Sequence, residues 1–379
     1  MNLPNHQTPH QISRQGWWGV RRSWLTVTRL RIILAAVAAV LAVLGALLWH
    51  AVLAPKPAAE GEPAAPAAAT ADQVSDQAVS PTGERLLSRD IDGVYVPRGQ
   101  EHPDLVAVAI DNMVDARPAS GLSKASVVIE TLAEGGITRF LALFPTDGDV
   151  AKIGPVRSAR PYFVDWDEEY DAVFAHVGGS PEALDRIDAS NLRDANEYFA
   201  GAYFWRSQDR KAPHNAYIAL DKVRELVAHR WPARATHALT PWKFMRALSV
   251  SDQASPDIVI DWSTPGYKVS WHYDAALGQY VRYQNGAAMQ DEDGSVVRAS
   301  TVVVQYAKMS VLDEIGRRRI VTVGNGRALV AVGGKTVEAT WERKAPQDRT
   351  RFLVGEDEAG FAPGPIWIET VPSAMKVAH

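Results

Sequence analysis

An apolar run near the N-terminus constrains the architecture of this chain more than any other feature. From Ile32 to Leu53 the sequence contains no charged residue and one polar side chain, His50. A helix of that length spans roughly 33 Å, enough to cross the hydrocarbon core of a bilayer. Five arginines lie between positions 14 and 31, and the first charges after the run are Lys56 and Glu60. By the positive-inside rule, the sequence predicts a cytoplasmic basic tail (1–31), a single transmembrane helix (32–53) and an extracytoplasmic remainder.

Three alternatives remain open for this run: a cleaved signal peptide, a buried core helix and twin-arginine export through Arg21-Arg22. Pro55, two residues after the run, disfavours cleavage, and the run is long for a signal sequence. The arginine pair lacks the residues expected around a twin-arginine signal. A single-pass anchor in the cell membrane is therefore the preferred interpretation.

The composition excludes several classes of function. The sequence contains no cysteine, which excludes disulfides, cysteine metal sites, thiol nucleophiles and lipid attachment through an N-terminal cysteine. A formal net charge of −4 gives no general attraction to nucleic acid, so no nucleic-acid partner is expected. The length of 379 residues exceeds one typical core and predicts at least two domains.

Residues 54–84 form a Pro/Ala-rich linker with few large apolar side chains and are expected to act as a spacer. Beyond it, segment 85–250 mixes strand and helix patterns, which predicts an α+β or α/β N-terminal domain. Segment 257–379 alternates short strands with turn signals, which predicts a β-rich C-terminal domain.

Within the first segment, short apolar runs predict buried strands at 106–111, 127–130, 139–144 and 172–176. Ser180-Pro181-Glu182 predicts the start of a helix, with Ser180 as N-cap. A second helix is predicted over Leu220–Arg230. In the second segment, hairpin turns are predicted at Asn285-Gly286, Asn325-Gly326 and Gly333-Gly334.

The run Arg157-Ser158-Ala159-Arg160 is the strongest candidate for a binding loop. Two guanidinium groups three residues apart could face one anion, since arginine forks match carboxylate and phosphate geometry. Arg139 is close in sequence and is a third candidate. The alternative is that these arginines pair with Glu130, Glu134 or Asp165 and stabilise the fold.

Glu130 and Glu134 are candidate acid–base carboxylates, because they flank a predicted strand end and the Gly135-Gly136 turn. Their spacing in the sequence does not give the distance between the two carboxyl groups.

A third cluster is His176-x-Gly178-Gly179-Ser180, where a histidine at a strand end precedes a helix start. His176 is therefore a candidate for catalysis or for ligand binding, with Gly178, Gly179 and Ser180 beside it. Ser180 is interpreted as a helix cap before it is considered a nucleophile. His214-Asn215 adds a second polar pair. No metal-binding spacing is present, so neither a metal nor a cofactor is predicted.

Several separated blocks of the chain resemble the YerB-like lipoprotein family, a bacterial family whose domains have no assigned function. The N-terminal blocks are RPASGLSKASVVIETLAEGGITRFLALF, IGPVRSARPYFVD, AHVGGSPEAL and KAPHNAYI. The C-terminal blocks are VVVQY, GNGRALVAVGGKTVEATWERK and IWIETVP. The resemblance implies a membrane-attached protein of the bacterial envelope with two domains, and it brings no established reaction. This chain departs from the lipoproteins of the family in having no cysteine.

Two functional hypotheses follow. In the preferred one, Arg139, Arg157 and Arg160 bind an anionic group of a cell-wall polymer or peptide, and His176 and His214 line the pocket. In the alternative, the protein is a hydrolase or lyase of wall material that uses Glu130 or Glu134 with His176. Beyond the membrane, the expected partner is a wall polymer or another envelope protein.

Overall fold

The structure is a computed structural model that describes residues 78–79, 83–232, 239–245 and 256–379. The predicted basic tail (1–31), the predicted transmembrane helix (32–53) and most of the predicted linker (54–84) lie outside these residues. Among the residues described, no helix is long and apolar enough to span a membrane. Residues 75–379 belong to one compact unit.

The strands are numbered in chain order. They are β1 (Ala78–Val79), β2 (Arg85–Ser88), β3 (Tyr95–Pro97), β4 (Leu105–Asp111), β5 (Val127–Leu132), β6 (Thr138–Pro145), β7 (Val173–His176), β8 (Arg193–Asn196), β9 (Phe204–Arg206), β10 (Ala216–Ile218), β11 (Ile258–Asp261), β12 (Lys268–Asp274), β13 (Gln279–Gln284), β14 (Ala287–Ala288), β15 (Arg298–Ala299), β16 (Thr301–Ala307), β17 (Met309–Val311), β18 (Arg318–Ile320), β19 (Gly324–Val332), β20 (Lys335–Arg343), β21 (Arg351–Val354), β22 (Asp357–Glu358) and β23 (Ile366–Pro372).

The α-helices are α1 (Pro161–Tyr170), α2 (Pro181–Asp188), α3 (Glu197–Ala200) and α4 (Leu220–Arg230). Short 3-10 helices cover Val114–Ala116, Leu122–Lys124, Glu134–Gly136, Gly201–Tyr203 and Pro265–Tyr267. In the described part of the chain, every α-helix lies in the N-terminal segment, and the C-terminal segment is rich in strands. This distribution agrees with the predicted fold classes of the two segments.

One large mixed sheet organises the molecule, with strand order β22-β21-β20-β19-β16-β23-β5-β6-β4-β7-β8. The pairs β4–β7, β7–β8, β16–β23 and β23–β5 are parallel. The sheet contains strands from both sequence segments, because β23 near the C-terminus lies between β16 and β5. The predicted boundary between the segments lies between residues 250 and 257. Residues 246–255 are outside the part of the chain that the structure describes.

The two faces of this sheet are covered differently. A second sheet, ordered β11-β12-β13-β14 with β15 on β13, contributes Trp271, whose ring centroid lies 5.2 Å from that of Trp367 on β23. The opposite face packs against α1 through Phe163 and Trp166, both fully buried. Burial of each such large apolar side chain contributes about 1.5–3 kcal/mol. The central strands are therefore buried on both faces.

The predicted strands at 106–111, 127–130, 139–144 and 172–176 correspond to β4, β5, β6 and β7 and are confirmed. The predicted helix over Leu220–Arg230 matches α4 at both ends. Ser180 caps α2, as predicted, and its hydroxyl accepts a hydrogen bond from the Ala183 N–H at 3.4 Å.

Two of the predicted hairpin turns are confirmed and one is wrong. Gly333 and Gly334 connect β19 to β20 with positive φ angles of 59° and 76°, and Asn285-Gly286 connects β13 to β14. Asn325-Gly326 instead lies inside β19, paired with β20. A Cβ on Gly326 would lie 2.6 Å from the Trp341 Nε1. The glycine is needed there for the close approach of an indole ring.

Candidate functional site

The candidate site lies at the carboxyl ends of the three parallel strands β4, β7 and β8. These strands end at Asp111, His176 and Asn196. Parallel strands bring their carboxyl ends to one edge of a sheet, and ligands of open mixed α/β sheets commonly bind outside that edge. The three polar residues are therefore placed where a binding site is expected.

A stretch of irregular backbone crosses this edge and brings arginine to it. The Arg157 N–H donates to the Ala109 carbonyl at 2.8 Å, and the Asp111 N–H donates to the Pro155 carbonyl at 2.9 Å. Two residues later, the Ala159 N–H donates to the Gly178 carbonyl at 2.9 Å. The predicted arginine loop thus joins the ends of β4 and β7 and holds Arg157 beside Asp111.

Asp111 is the centre of a compact charged cluster with Arg157 and His214, here named the Asp111 site. Its Oδ2 atom lies 2.6 Å from the His214 Nδ1 and 2.9 Å from the Arg157 Nε. Its Oδ1 atom accepts a hydrogen bond from the Met113 N–H at 3.0 Å. The carboxylate is fully buried, whereas the side chains of Arg157 and His214 are 19% and 12% exposed. The carboxylate therefore anchors two side chains that reach the surface.

Two polar groups of this site have no partner in the described part of the chain: the terminal nitrogens of Arg157 and the Nε2 of His214. Burial lowers the pKa of Arg157 from its ordinary value, and the neighbouring Asp111 charge opposes that shift. A guanidinium group remains protonated in either case. The site therefore presents a cationic fork and an imidazole nitrogen together.

Arg139 and Arg160 lie close by but are already paired. Glu134 forms ion pairs with both, at 3.6 Å to the Arg139 Nη2 and in direct contact with the Arg160 Nη2. Arg139 also donates to the Ser158 carbonyl at 3.0 Å, and Arg160 donates to the Ala159 carbonyl at 2.7 Å. These contacts agree with the alternative in which the two arginines pair with a carboxylate and stabilise the fold. The Glu134 carboxylate is shared between two guanidinium groups.

His176 is fully buried, and both of its ring nitrogens are in hydrogen bonds. Its Nδ1 donates to the Gly178 carbonyl at 2.7 Å, and its Nε2 lies 2.8 Å from the Asp194 Oδ1. This histidine has no nitrogen left for a ligand or for proton transfer. It holds the turn after β7 in place.

The remaining predicted residues surround the Asp111 site. Gly178 donates to the Asn196 Oδ1 at 3.0 Å, and a Cβ on it would lie 3.0 Å from the Tyr198 ring. Gly179 pairs with Ala159 in an isolated bridge. The Asn215 side chain donates to the Ser207 carbonyl at 3.1 Å and accepts from Arg206 at 3.0 Å. Backbone and amide contacts thus fix the loops on which Arg157 and His214 lie.

Glu130 lies on β5, two strands from β4 in the large sheet, and is fully buried between the two sheets. Its Oε2 is 2.5 Å from the Nη2 of Arg282 on β13, which is also fully buried. Its Oε1 accepts hydrogen bonds from the Thr138 hydroxyl at 2.7 Å and from the Asn112 amide at 3.4 Å. Both carboxyl oxygens of Glu130 are therefore occupied by protein groups. A substrate in solvent cannot contact it in this conformation.

A second buried carboxyl group, Glu369 on β23, is the register partner of Glu130. Its Oε1 accepts from the Trp271 Nε1 at 2.9 Å. Burial, and then the negative charge of Glu130, raise the pKa of Glu369 well above its ordinary value. The raised pKa favours the protonated form of Glu369, while Glu130 is the carboxyl group in contact with Arg282.

Three residues of these clusters were missed by sequence reasoning: Asp111, Arg282 and Glu369. Asp111 had a visible signal, because it is the only charged residue of an otherwise apolar strand, at its last position. Arg282 and Glu369 had none, since their partner Glu130 lies more than 150 residues away in the sequence. In the described part of the chain, no group of three or more His, Asp or Glu residues could hold a metal ion.

The chain belongs to the family described as "Protein of unknown function (DUF3048)". The N-terminal domain of that family matches residues 93–233, and its C-terminal domain matches residues 258–368.

A relative from Bacillus subtilis (strain 168) named "Putative lipoprotein YerB" is 34% identical over 275 residues, which is 70% of this chain and 81% of the relative. The crystal structure of the Bacillus subtilis YerB protein is similar with a TM-score of 0.69 and 31% sequence identity, and the match covers 77% of this chain and all of that one. These comparisons confirm the resemblance stated above and bring no reaction with them.

Proposed function

We propose that this protein is a membrane-attached, extracytoplasmic protein of the cell envelope that binds an anionic group of a wall polymer or peptide at the Asp111 site. One observation carries the binding part of the proposal. Arg157 is held through Nε by the buried Asp111 carboxylate, and its terminal nitrogens have no partner among the described residues. A guanidinium group that is fixed through Nε and has both terminal nitrogens free is suited to bidentate recognition of a carboxylate or phosphate.

The attachment part rests on the sequence and on the relative. The Bacillus subtilis relative is named as a lipoprotein, whereas the present sequence contains no cysteine that could carry a lipid. We assign the anchoring role to the apolar run at 32–53, with the bulk of the chain outside the cytoplasm. The Pro/Ala-rich residues 54–84 then separate the folded part from the membrane surface.

Exposed aromatic rings near this edge favour a polymer over a small ion. Tyr198 and Phe199 lie on α3, which directly follows β8, and are 69% and 75% exposed. The Tyr198 ring lies against Gly178, beside the arginine loop. Aromatic rings in contact with water provide flat apolar surfaces on which a polymer chain can pack.

The binding is tested by sedimentation of full-length protein, purified in detergent, with isolated cell walls. Arg157→Ala removes the free fork, and we expect roughly tenfold to hundredfold weaker binding, since hydrogen bonds to charged groups contribute about 1.5–3 kcal/mol. Arg351→Ala is the matched control. That arginine is 45% exposed, pairs with Glu342 on the β20–β21 hairpin, and lies at the other end of the large sheet.

Two soluble probes then distinguish the anion. Polyglutamate competes with the wall if the bound group is a carboxylate, and inorganic polyphosphate competes if it is a phosphate. Equal sedimentation of the Arg157→Ala variant and the Arg351→Ala control would refute the site.

A further inference from the structure

The geometry points to an activity for the Asp111 site that goes beyond binding: hydrolysis of an anionic phosphodiester, with His214 as the general base. This inference rests on the proposed anion site. It starts from the contact between the buried Asp111 Oδ2 and the His214 Nδ1, at 2.6 Å.

The contact fixes the tautomer of the imidazole. A carboxylate can only accept hydrogen bonds, so the Nδ1 of His214 must donate. In the neutral ring, Nε2 is then the nitrogen without a proton, and it has no protein partner in the described part of the chain. An aspartate that holds the imidazole by one nitrogen and leaves the other as a base is the arrangement used in general-base catalysis.

The position of this base is well determined. Asp111 ends a fully buried strand, and its second oxygen is held by the Met113 N–H at 3.0 Å. The His214 N–H donates to the Lys211 carbonyl at 3.0 Å, which closes the turn that presents the ring. By contrast, the buried His176 has both nitrogens occupied. His214 is therefore the histidine at this edge that is equipped for proton transfer.

The nearby guanidinium selects the substrate class. The Arg157 Nε and the His214 Nδ1 contact the same oxygen at 2.9 and 2.6 Å, so the two nitrogens lie within about 5.5 Å of each other. An anion on the terminal nitrogens of Arg157 would therefore share one small site with the imidazole of His214. A bound carboxylate has no bond there that water can readily cleave, whereas a phosphodiester carries its charge on the reacting phosphoryl group. Arg157 would also stabilise the charge that develops on the equatorial oxygens.

In the proposed step, the His214 Nε2 removes one proton from a water molecule while the water oxygen forms a bond to phosphorus. The bond from phosphorus to one ester oxygen breaks, and that oxygen leaves with the bonding electron pair and takes a proton from solvent. The imidazolium then returns its proton to solvent. The products are a phosphomonoester and an alcohol, with one water consumed and no oxidant or reductant required. Asp111 is the positioning residue that orients the base.

The test uses full-length protein purified in detergent and bis(p-nitrophenyl) phosphate, with release of p-nitrophenolate as the readout. We expect His214→Asn and His214→Gln to lower kcat/KM by about 100-fold to 10,000-fold, the usual contribution of a general base. Wall sedimentation of both variants, measured beside that of Arg157→Ala, separates loss of the base from loss of the anion contact.

The matched control is His272→Asn. His272 also pairs with an aspartate, Asp257, through Nδ1 at 2.8 Å, but its Nε2 is occupied by the Ser270 hydroxyl at 3.1 Å. We expect the control to hydrolyse the diester at the wild-type rate. Hydrolysis that is equal in wild type and both His214 variants, or wild-type protein that binds walls but releases no nitrophenolate, overturns the inference and leaves the binding proposal standing. Unchanged wall binding of Arg157→Ala refutes the binding proposal itself.

Discussion

The buried pair of carboxyl groups allows a direct test of where its single negative charge lies. Glu130→Gln would remove the negative charge that pairs with the Nη2 of Arg282, whose side chain is fully buried. Leaving a buried charge without its partner costs about 3–5 kcal/mol. Glu369→Gln instead retains an oxygen for the Trp271 N–H and offers an N–H to Glu130. We expect that second substitution to change the free energy of unfolding by no more than about 1 kcal/mol.

Thermal unfolding followed by circular dichroism measures the difference between the two variants. For a chain of this size, each kcal/mol shifts the Tm by about 2 °C. The Tm should therefore fall by about 6–10 °C in Glu130→Gln and by at most about 2 °C in Glu369→Gln. Equal losses, or a larger loss in Glu369→Gln, would refute the assignment of the charge to Glu130.

The pH dependence provides an independent check of the same assignment. The pKa of Glu369 is raised in the folded protein above its ordinary value of 4.5, so above that pH the native state binds more protons than the unfolded chain. The contribution of this group to stability is complete below its unfolded pKa and is lost as pH rises through the raised native pKa. Because glutamine does not ionise, the Tm of Glu369→Gln minus that of wild type should increase as pH rises above 4.5, the ordinary pKa of the group. A constant difference would contradict the raised pKa.

Two further predictions concern local packing. Gly326→Ala should lower stability by about 1–3 kcal/mol, since its Cβ would meet the Trp341 Nε1 at 2.6 Å and the Tyr306 carbonyl at 2.7 Å. Gly201→Ala is the control, since a Cβ at that position would have no neighbour within 4 Å, and it should be neutral or slightly stabilising in the same thermal scan. Equal Tm values for the two variants would exclude the close contact at Gly326. Ser180→Ala removes the hydroxyl cap of α2 and should cost about 1 kcal/mol, and an unchanged Tm would show that the 3.4 Å contact contributes nothing.

Local signals in the sequence predicted the elements of this fold better than their arrangement. The helix Leu220–Arg230 and the strands β4 to β7 follow from apolar runs and breakers that act over a few residues. The prediction of a turn at Asn325-Gly326 was wrong, because the glycine has another use there. It leaves room for the indole ring of Trp341 to pack against β19. The sequence pattern cannot distinguish these two uses of glycine.

The sequence pointed to two side chains of the Asp111 site, Arg157 and His214, and missed Asp111, which brings them together. The difference between Arg157, with a free fork, and Arg160, paired with Glu134, depends on side-chain direction and not on spacing. Glu130 was a reasonable acid–base candidate by position in the sequence. Its burial follows from the second sheet, whose Arg282 comes from a segment 152 residues further along the chain.

The position of β23 has a consequence for how the molecule is made. This strand, Ile366–Pro372, comes more than 200 residues after β5 in the sequence, yet it supplies the parallel pairing on both of its sides that joins β5 to β16. Until β23 has been synthesised, β5 and β16 each have one edge to which no strand is paired. Pairing across such sequence distances is slow, because the loop entropy is lost before the contacts form. The central sheet can therefore be completed only after β23 has been synthesised and has paired with both β5 and β16.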